Sequence, residues 1–414
     1  MSEVTGIAGA FGERDEPIPA FHRGSNQSGM RAYNERLVLS LVRSHGSLAK
    51  MEIARMTGLS AQTVSVIMRE LEADRLLLRG EPVRGRVGQP SVPLSLDPEG
   101  AYFFGLKIGR RSADLVLVDF LGRICAQDHL RFPYPMPGPT VKFFKMGIEA
   151  MTASLGPRAK RVAGAGIAIP FGLWNWADEI GAPAGEMDAW RDFDVREVVA
   201  KFSRWPVYLQ NDATAACSAE LAFGPHGHLR DFVYFYVGTF AGGGIVLNGS
   251  LYSGRTGNAG AVGSMPVPKR RRGRGRVSEQ LIDQASLVVL ERALRARDID
   301  PQGLWEADAD WSGFKDEAEA WMDCAAAGLA HAIVASASVI DFEAALIDGS
   351  LPAAIRKRLV EKVGAQIEGI DHEGIDVPIL GEGAIGPIAR ALGAATLPLF
   401  DRYLIDQYAL MRTG

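Results

Sequence analysis

The chain has 414 residues, 47% of them hydrophobic and 23% charged; this is the composition of a folded chain with enough apolar side chains for a core, and it excludes disorder along the whole length. At roughly 100–200 residues per domain, two to four domains are expected. The formal charge of −4, from 45 basic and 49 acidic residues, does not point to nucleic acid, and three scattered cysteines, Cys125, Cys217 and Cys324, argue against a disulfide framework or a cysteine zinc site and fit reduced cytosolic thiols.

Residues 1–29 are rich in Gly, Pro, Ser and charge without a sustained period, and are expected to form a flexible arm. Glu3, Glu13, Arg14, Asp15 and Glu16 leave no apolar core for a secretory signal. The most apolar helix, near 324–340, contains His331 and is expected to be too short to span a bilayer. A cytoplasmic protein without a membrane partner is expected.

From Tyr33 the pattern is helical: Leu37, Val38, Leu41 and Val42 share a face, and Gly46 stops the helix. A second helix is predicted over 50–57, ending at Gly58. Ser60 caps a third over 61–74, with the apolar stripe Val64, Ile67, Met68 and Leu71. Two apolar segments flank a basic Gly/Pro loop from Arg79 to Pro90 and read as a β-hairpin wing. Asp97-Pro98-Glu99-Gly100 is turn chemistry and an expected domain boundary. Residues 30–96 are therefore predicted to be an α+β winged helix-turn-helix.

The polar face of the third helix carries Gln62, Ser65 and Arg69, with Thr63 beside them; Gln and Arg are the residue types that read adenine and guanine edges in the major groove. Ser60 at the helix start is placed to hold a phosphate. Arg84 and Arg86 sit between glycines, as minor-groove residues of a wing do. Between Met30 and Val92 ten basic residues face six acidic ones, an excess of four positive charges, which leaves −8 for the rest of a chain of net −4. Each feature alone reads equally as a plain helical subdomain or a solvated turn. The ordered combination points to operator DNA as a partner.

Residues 97–414 alternate strands and helices, an α/β pattern. Strands are predicted at 102–108, 113–119, 123–131, 164–170, 207–211, 232–237 and 244–247. Helices are predicted near 140–154, 194–204, 213–223, 278–296 and 315–340. The strand-rich stretches 101–131 and 231–254 hint at an internal duplication.

Over about residues 30–400 the chain resembles the transcriptional-regulator branch of the ROK family (repressors, open reading frames and sugar kinases). The resemblance rests on the winged helix followed by "GLKIGRRSADLVLVDFLGRI", "GAGIAIPFG", "LQNDATAACSAE", "VGTFAGGGIVLNGSLYSGRTGNAGAVGS", "SEQLIDQAS" and "GEGAIGPIARALGAA". It implies a C-terminal, two-lobed actin-like/hexokinase-like α/β fold over 97–414, with a sugar cleft between the lobes and a role in dimerisation. A homodimer or a dimer of dimers is expected.

Asn211-Asp212 follows a predicted strand and precedes a helix, so both side chains stand over a crevice, where an amide and a carboxylate can clamp adjacent hydroxyls. The resemblance implies sugar binding for both and, in a kinase, the general-base role for Asp212. Read without it, Asp212 serves equally as the N-cap of the helix. Glu279 of "SEQL" matches a sugar-contacting glutamate, or is a first-turn helix glutamate. Asn258 matches a cleft-lining position, or is a turn residue. Trp174 and Trp176 offer a flat apolar face to a sugar, or pack in the core.

Three departures from the family pattern bear on enzyme activity. Where the kinases carry Asp-x-Gly-Gly-Thr, this chain has Lys107-Ile108-Gly109-Arg110-Arg111-Ser112, which compromises close phosphate approach and metal charge balance. Arg110 and Arg111 are alternatively an anion clamp themselves. The family's Gly-Glu-x-Gly-His segment reads Gly260-Ala261-Val262-Gly263-Ser264, and its zinc cysteines give way to a basic run from Lys269 to Arg276. That run reads as a solvated loop or as a contact to phosphates. The expectation is a sugar-responsive DNA-binding regulator, a repressor, with a sugar or sugar derivative as effector. No catalytic residue, cofactor or metal is expected. A sugar kinase with a DNA-binding head and catalytic Asp212 is the alternative, and a sensor for a protein partner is a third reading.

Overall fold

The computed structural model describes residues 27–82, 92–226, 229–269, 277–305 and 309–405. Most of the expected arm, the centre of the wing with Arg84 and Arg86, and residues 270–276 of the basic run lie outside the described residues.

The N-terminal unit contains helix α1 (Gln27–His45), strand β1 (Ser47–Ala49), helices α2 (Lys50–Thr57) and α3 (Ala61–Ala73), and strands β2 (Leu77–Arg79) and β3 (Pro93–Leu96). Helix α1 starts at Gln27, so the last residues of the expected arm are helical. Gly46 and Gly58 take positive φ at the two helix exits, the conformation that glycine adopts without a Cβ penalty. Ser60 caps α3, its hydroxyl accepting the Thr63 N–H at 3.1 Å. The stripe Val64, Ile67, Met68 and Leu71 is buried as expected. Strand β1, which the sequence reading missed, pairs with β3 and completes a small sheet ordered β1-β3-β2.

The first lobe contains β4 (Tyr102–Ile108), β5 (Ser112–Val118), β6 (Ile124–Arg131), α4 (Pro137–Ser154), β7 (Val162–Ile169), α5 (Ala177–Ile180), α6 (Val195–Ala200), β8 (Val207–Asn211) and α7 (Asp212–Phe223). The second contains β9 (Phe232–Val237), β10 (Ala241–Leu247), β11 (Ser250–Leu251), β12 (Pro266–Lys269), β13 (Val277–Gln280), α8 (Ile282–Ala285), α9 (Leu287–Arg295), α10 (Lys315–Ala337), β14 (Ala344–Gly349), α11 (Ala353–Ile367), β15 (Ile379–Glu382) and α12 (Ala389–Tyr403). Each lobe has one five-stranded sheet, ordered β6-β5-β4-β7-β8 and β11-β10-β9-β14-β15. In both, three antiparallel strands are followed by two parallel ones. The hinted duplication is thus a repeat of topology.

Helices α7 and α12 pack together between the sheets. Their contact is built from small residues: a Cβ at Gly393 would lie 1.7 Å from the Ala215 carbonyl oxygen; α12 packs as closely on β7, where a Cβ at Gly166 would lie 1.8 Å from the Ala394 carbonyl oxygen. Ser218 and Thr396 hydroxyls meet across it at 2.6 Å. Helices α11 and α12 and strands β14 and β15 were not anticipated. Pro398 lies inside α12, and its two faces are both buried.

The stretch Trp311–Ala337 is long and apolar enough to cross a membrane by length and composition, which corrects the expectation of a shorter helix. Most of it is buried in the second lobe, where Trp321, Met322, Leu329 and Ile333 join the core.

The turn at 97–100 forms, with Asp97 accepting the Glu99 N–H at 2.9 Å. The apolar core nevertheless runs through it: Val38, Leu39 and Val42 of α1 belong to the cluster that contains Phe103, Phe120, Ala391 and Leu399.

Candidate functional site

Two cavities meet at the turn between β4 and β5. The smaller, about 150 Å³, is lined by Asn211, Asp212, Asn258, Trp176, Phe240, Arg110 and the glycine-rich β10. The larger, about 820 Å³, lies between the lobes and is lined by Lys107, Arg110, Arg111, Asp114, His129 and Arg131 from the first, and Thr239, Trp305, Ser350 and Arg390 from the second. Arg110 lines both.

The structure brings Asn211, Asp212 and Asn258 to one cavity. Asn211, rather than Asp212, is the N-cap of α7, its Oδ1 accepting the N–H groups of Ala213 and Thr214 at 3.1 and 3.3 Å. The neighbouring Asp212 carboxylate is buried and takes Arg390 Nη1 at 3.2 Å. Arg390 stands in the first turn of α12, 178 residues away, and was not singled out from the sequence. Its place in "GAIGPIARALGAA", within a motif already noted, is the only signal for it.

Glu279 differs from its predicted local setting. It lies on β13 rather than in a helix, because the predicted 278–296 helix is broken into a strand and two helices. Pairing of β13 with β12 overrides the local helical period. Ser286 then separates α8 from α9 in an extended conformation, its hydroxyl accepting the buried Ala241 N–H at 2.8 Å. Glu279 bonds Lys269 at 2.5 Å and Gln284 at 2.8 Å and lines a neighbouring cavity with Trp176 and Phe240. It does not line the cavity of Asn211, Asp212 and Asn258. The two tryptophans also part: Trp176 packs against Phe240 in a tilted pair, centroids 4.4 Å apart, and lines that cavity, whereas Trp174 packs on the first-lobe core.

The cleft is rich in cations, and most are matched. Lys107 is buried and bonds Asp114 at 2.8 Å and the Ser112 hydroxyl at 2.7 Å. Burial, with repulsion from Arg390, pushes its ammonium down to about 8 against the opposing pull of Asp114. Burial alone would raise the Asp114 carboxyl, but Lys107 and His129, which also bonds it, hold it below the usual carboxylate range. Arg111 donates through Nη2 to both carboxylate oxygens of buried Glu291 of α9, at 2.9 and 3.1 Å, and so ties the β4–β5 turn to the second lobe. Burial pulls the Arg390 guanidinium down, but Tyr236, whose ring it overlies, and Asp212 outweigh it and raise it.

In the N-terminal unit, Gln62 and Arg69 are exposed on α3, while Thr63 and Ser65 are half-buried. Ser60 and Thr63 hydroxyls bond each other at 2.8 Å, and the Ser65 hydroxyl bonds the Ala61 carbonyl at 2.8 Å. Three of the five α3 candidates therefore have partners within their own helix start. Arg43, at the end of α1, donates to the carbonyls of Phe120 and Ala222, both at 3.0 Å. Ala222 lies in the last turn of α7, the helix that starts at Asp212.

A ROK family model matches residues 103–398. The chain belongs to the ROK family. Among curated relatives it is 26% identical over 379 residues to the uncharacterized protein y4fQ of Sinorhizobium fredii, covering 91% of this chain and 93% of that one. It is 24% identical over 243 residues to the xylose repressor of Bacillus spizizenii, covering 59% of this chain and 62% of the repressor. The alignment thus spans about three fifths of that relative. The fold is that of a ROK family transcriptional regulator described as a homologue of the E. coli MLC protein, with a TM-score of 0.66, 19% identity and coverage of 92% and 98%. A ROK family glucokinase from Streptomyces griseus, solved with glucose and AMPPNP, matches at a TM-score of 0.53 and 20% identity, covering 72% of this chain and 99% of the kinase. The two-lobed unit has the actin-like/hexokinase-like ROK fold, preceded here by helices and a small sheet.

Proposed function

We propose that this ROK protein is a sugar-responsive repressor of carbohydrate uptake or catabolism genes. Residues 30–96 serve as a winged helix-turn-helix for operator DNA, and 97–414 as the sensing and dimerisation module of a homodimer or dimer of dimers. One observation carries this reading: α7 begins in the ligand cavity at Asp212 and ends at the Ala222 carbonyl that Arg43 of the N-terminal unit holds. Twelve residues of helix span about 18 Å, so one rigid element touches both the sensor and the head. Relatives named as sugar repressors support the reading.

Gln62 and Arg69 are the base-reading side chains, since both are exposed on α3. Asn258 and Asp212 face the sugar. Sugar binding shifts the lobes and mis-spaces the paired heads; a coupling of about 1–3 kcal/mol changes DNA affinity about 5–150-fold. The test is footprinting on the gene's own upstream region, with and without a sugar panel. Gln62→Ala and Arg69→Ala should each weaken a protected site by about 1–3 kcal/mol while the fold is kept. Asp212→Ala should leave protection intact and abolish its response to sugar. Protection that no sugar moves, or that both α3 variants retain in full, refutes the assignment.

The alternative is a sugar kinase, favoured by the retained Asp212 in the cavity. Against it, Lys107 at the end of β4 and Arg110 in the following turn stand where a nucleotide phosphate would need a metal-facing carboxylate and glycine. ADP release on a sugar panel, lost in Asp212→Asn, would establish the kinase reading.

A further inference from the structure

Arg110 stands apart from the paired cations around the cleft in having no carboxylate partner. It is 9% exposed. It makes no hydrogen bond or ion pair among the described residues; its buried Nε lacks a partner, as do those of Arg111 and Arg390, but unlike theirs its Nη groups lack one too. Lys107, Arg111 and Arg390 beside it each have a carboxylate, from Asp114, Glu291 and Asp212 respectively. The guanidinium instead lies over the faces of Phe240, at 4.1 Å, and Trp176, at 5.2 Å. Ring faces fix its plane and leave the N–H edge for a partner in that plane. A buried charge without a counter-charge is unfavourable, and the planar fork matches an oxyanion in two-pronged geometry. Arg131, exposed on the wall of the larger cavity, adds a second cation with no carboxylate partner among the described residues; its donors reach only His129 and the Trp305 carbonyl, at 3.4 Å each.

We propose that the ligand of this cleft carries an oxyanion, a phosphate ester or a carboxylate, and that Arg110 seats it, with the polyol part turned to Asp212 and Asn258 in the adjoining cavity. The effector is then an acidic sugar derivative and not a neutral sugar, an assignment that rests on the regulator reading only for the word effector. Burial pushes the Arg110 guanidinium down to about 10, with Asp212 opposing, so it is charged at neutral pH. Its position at the junction of the two cavities makes it the group that distinguishes acidic from neutral ligands of the same ring.

The test uses the full chain, with calorimetry and thermal shift at constant ionic strength. Inorganic phosphate and sulfate are the first probes, against chloride. Glucose, glucose 6-phosphate and glucuronate follow as a neutral sugar and its two kinds of acid. Phosphate is expected to raise the melting temperature of the wild type, and at least one acidic sugar to bind tenfold or more tighter than glucose. The tighter of the two acids identifies the anion. In Arg110→Met, which keeps an apolar stem against Phe240, both effects should fall at least tenfold.

If the methionine variant fails to fold, Arg110→Lys carries the test, because it keeps the charge but not the fork; its anion affinity should fall several-fold. Anion affinity unchanged in the folded variant overturns the proposal. So does a wild type indifferent to all anions, or one that binds glucose as tightly as both acids. DNA binding is measured in parallel. A chain that binds anions through Arg110 but protects no DNA upholds the anion site and removes the regulator reading. A chain released from DNA by neutral sugars alone keeps the regulator reading and overturns the anion site.

Discussion

Lys107, at the end of β4, is buried, and its ammonium is held by Asp114 and the Ser112 hydroxyl. Its folded value, about 8 against an ordinary 10.5, has a consequence for stability. Below pH 8 both folded and unfolded chains carry the proton, and the fold bears the full cost of the buried charge. Between pH 8 and 10.5 the unfolded chain binds more protons than the folded one, so this residue's contribution rises with pH. From pH 7.5 to 9.5, urea denaturation should show the wild type gaining about 2 kcal/mol relative to Lys107→Met; a constant difference would mean that Lys107 titrates normally. At this scale much was legible: the Lys107–Ser112 departure, the Ser60 cap and the α3 stripe all follow from local chemistry. The partners were not. Arg390 meets Asp212 across 178 positions and Glu291 meets Arg111 across 180, and no local spacing encodes such pairs.

At the scale of elements, several helices with one apolar face were read closely, since burying a stripe is a local demand, but α1 starts at Gln27 rather than near Tyr33, and α11, with Leu359, Val363 and Ile367 on its buried face, was missed. α2 matches its prediction from 50 to 57, and β4, β8 and β9 match theirs. Two further failures share a cause. α12 is buried on both faces and β13 is set by its pairing with β12, so neighbours and not period decide their form. The α7–α12 contact gives a direct check of this packing. Gly393→Ala would press a methyl against the Ala215 carbonyl and should cost about 1–3 kcal/mol or more in denaturant titrations. Gly364→Ala, inside α11 with its nearest neighbour at an ordinary 3.6 Å, should instead be neutral or stabilising by about 0.5–1 kcal/mol. Equal effects at the two positions would show that the close approach of α7 and α12 is not required.

For the whole molecule, the N-terminal unit is bonded to the ROK fold through Arg43. Its guanidinium reaches two carbonyls and lies over the Phe223 ring at 5.0 Å. Burial pushes it down to about 10, so it is cationic at neutral pH. Arg43→Gln should leave DNA affinity within about threefold in fluorescence anisotropy, yet reduce the effector's influence on it to under about twofold, from the 5–150-fold that a 1–3 kcal/mol coupling implies. An undiminished response would place the coupling elsewhere. The sequence by itself determined the division into a basic, helical head and an acidic α/β remainder, the repeated strand pattern, and the placing of Lys107 at the end of β4 with Arg110 in the turn after it, because composition, period and turn chemistry act over a few residues. Only the tertiary structure decided which charges are matched. It withdrew Glu279 to a neighbouring cavity, gave Asp212 to Arg390, and left Arg110 alone between two cavities, because whether a buried charge has a counter-charge depends on residues that only folding brings together.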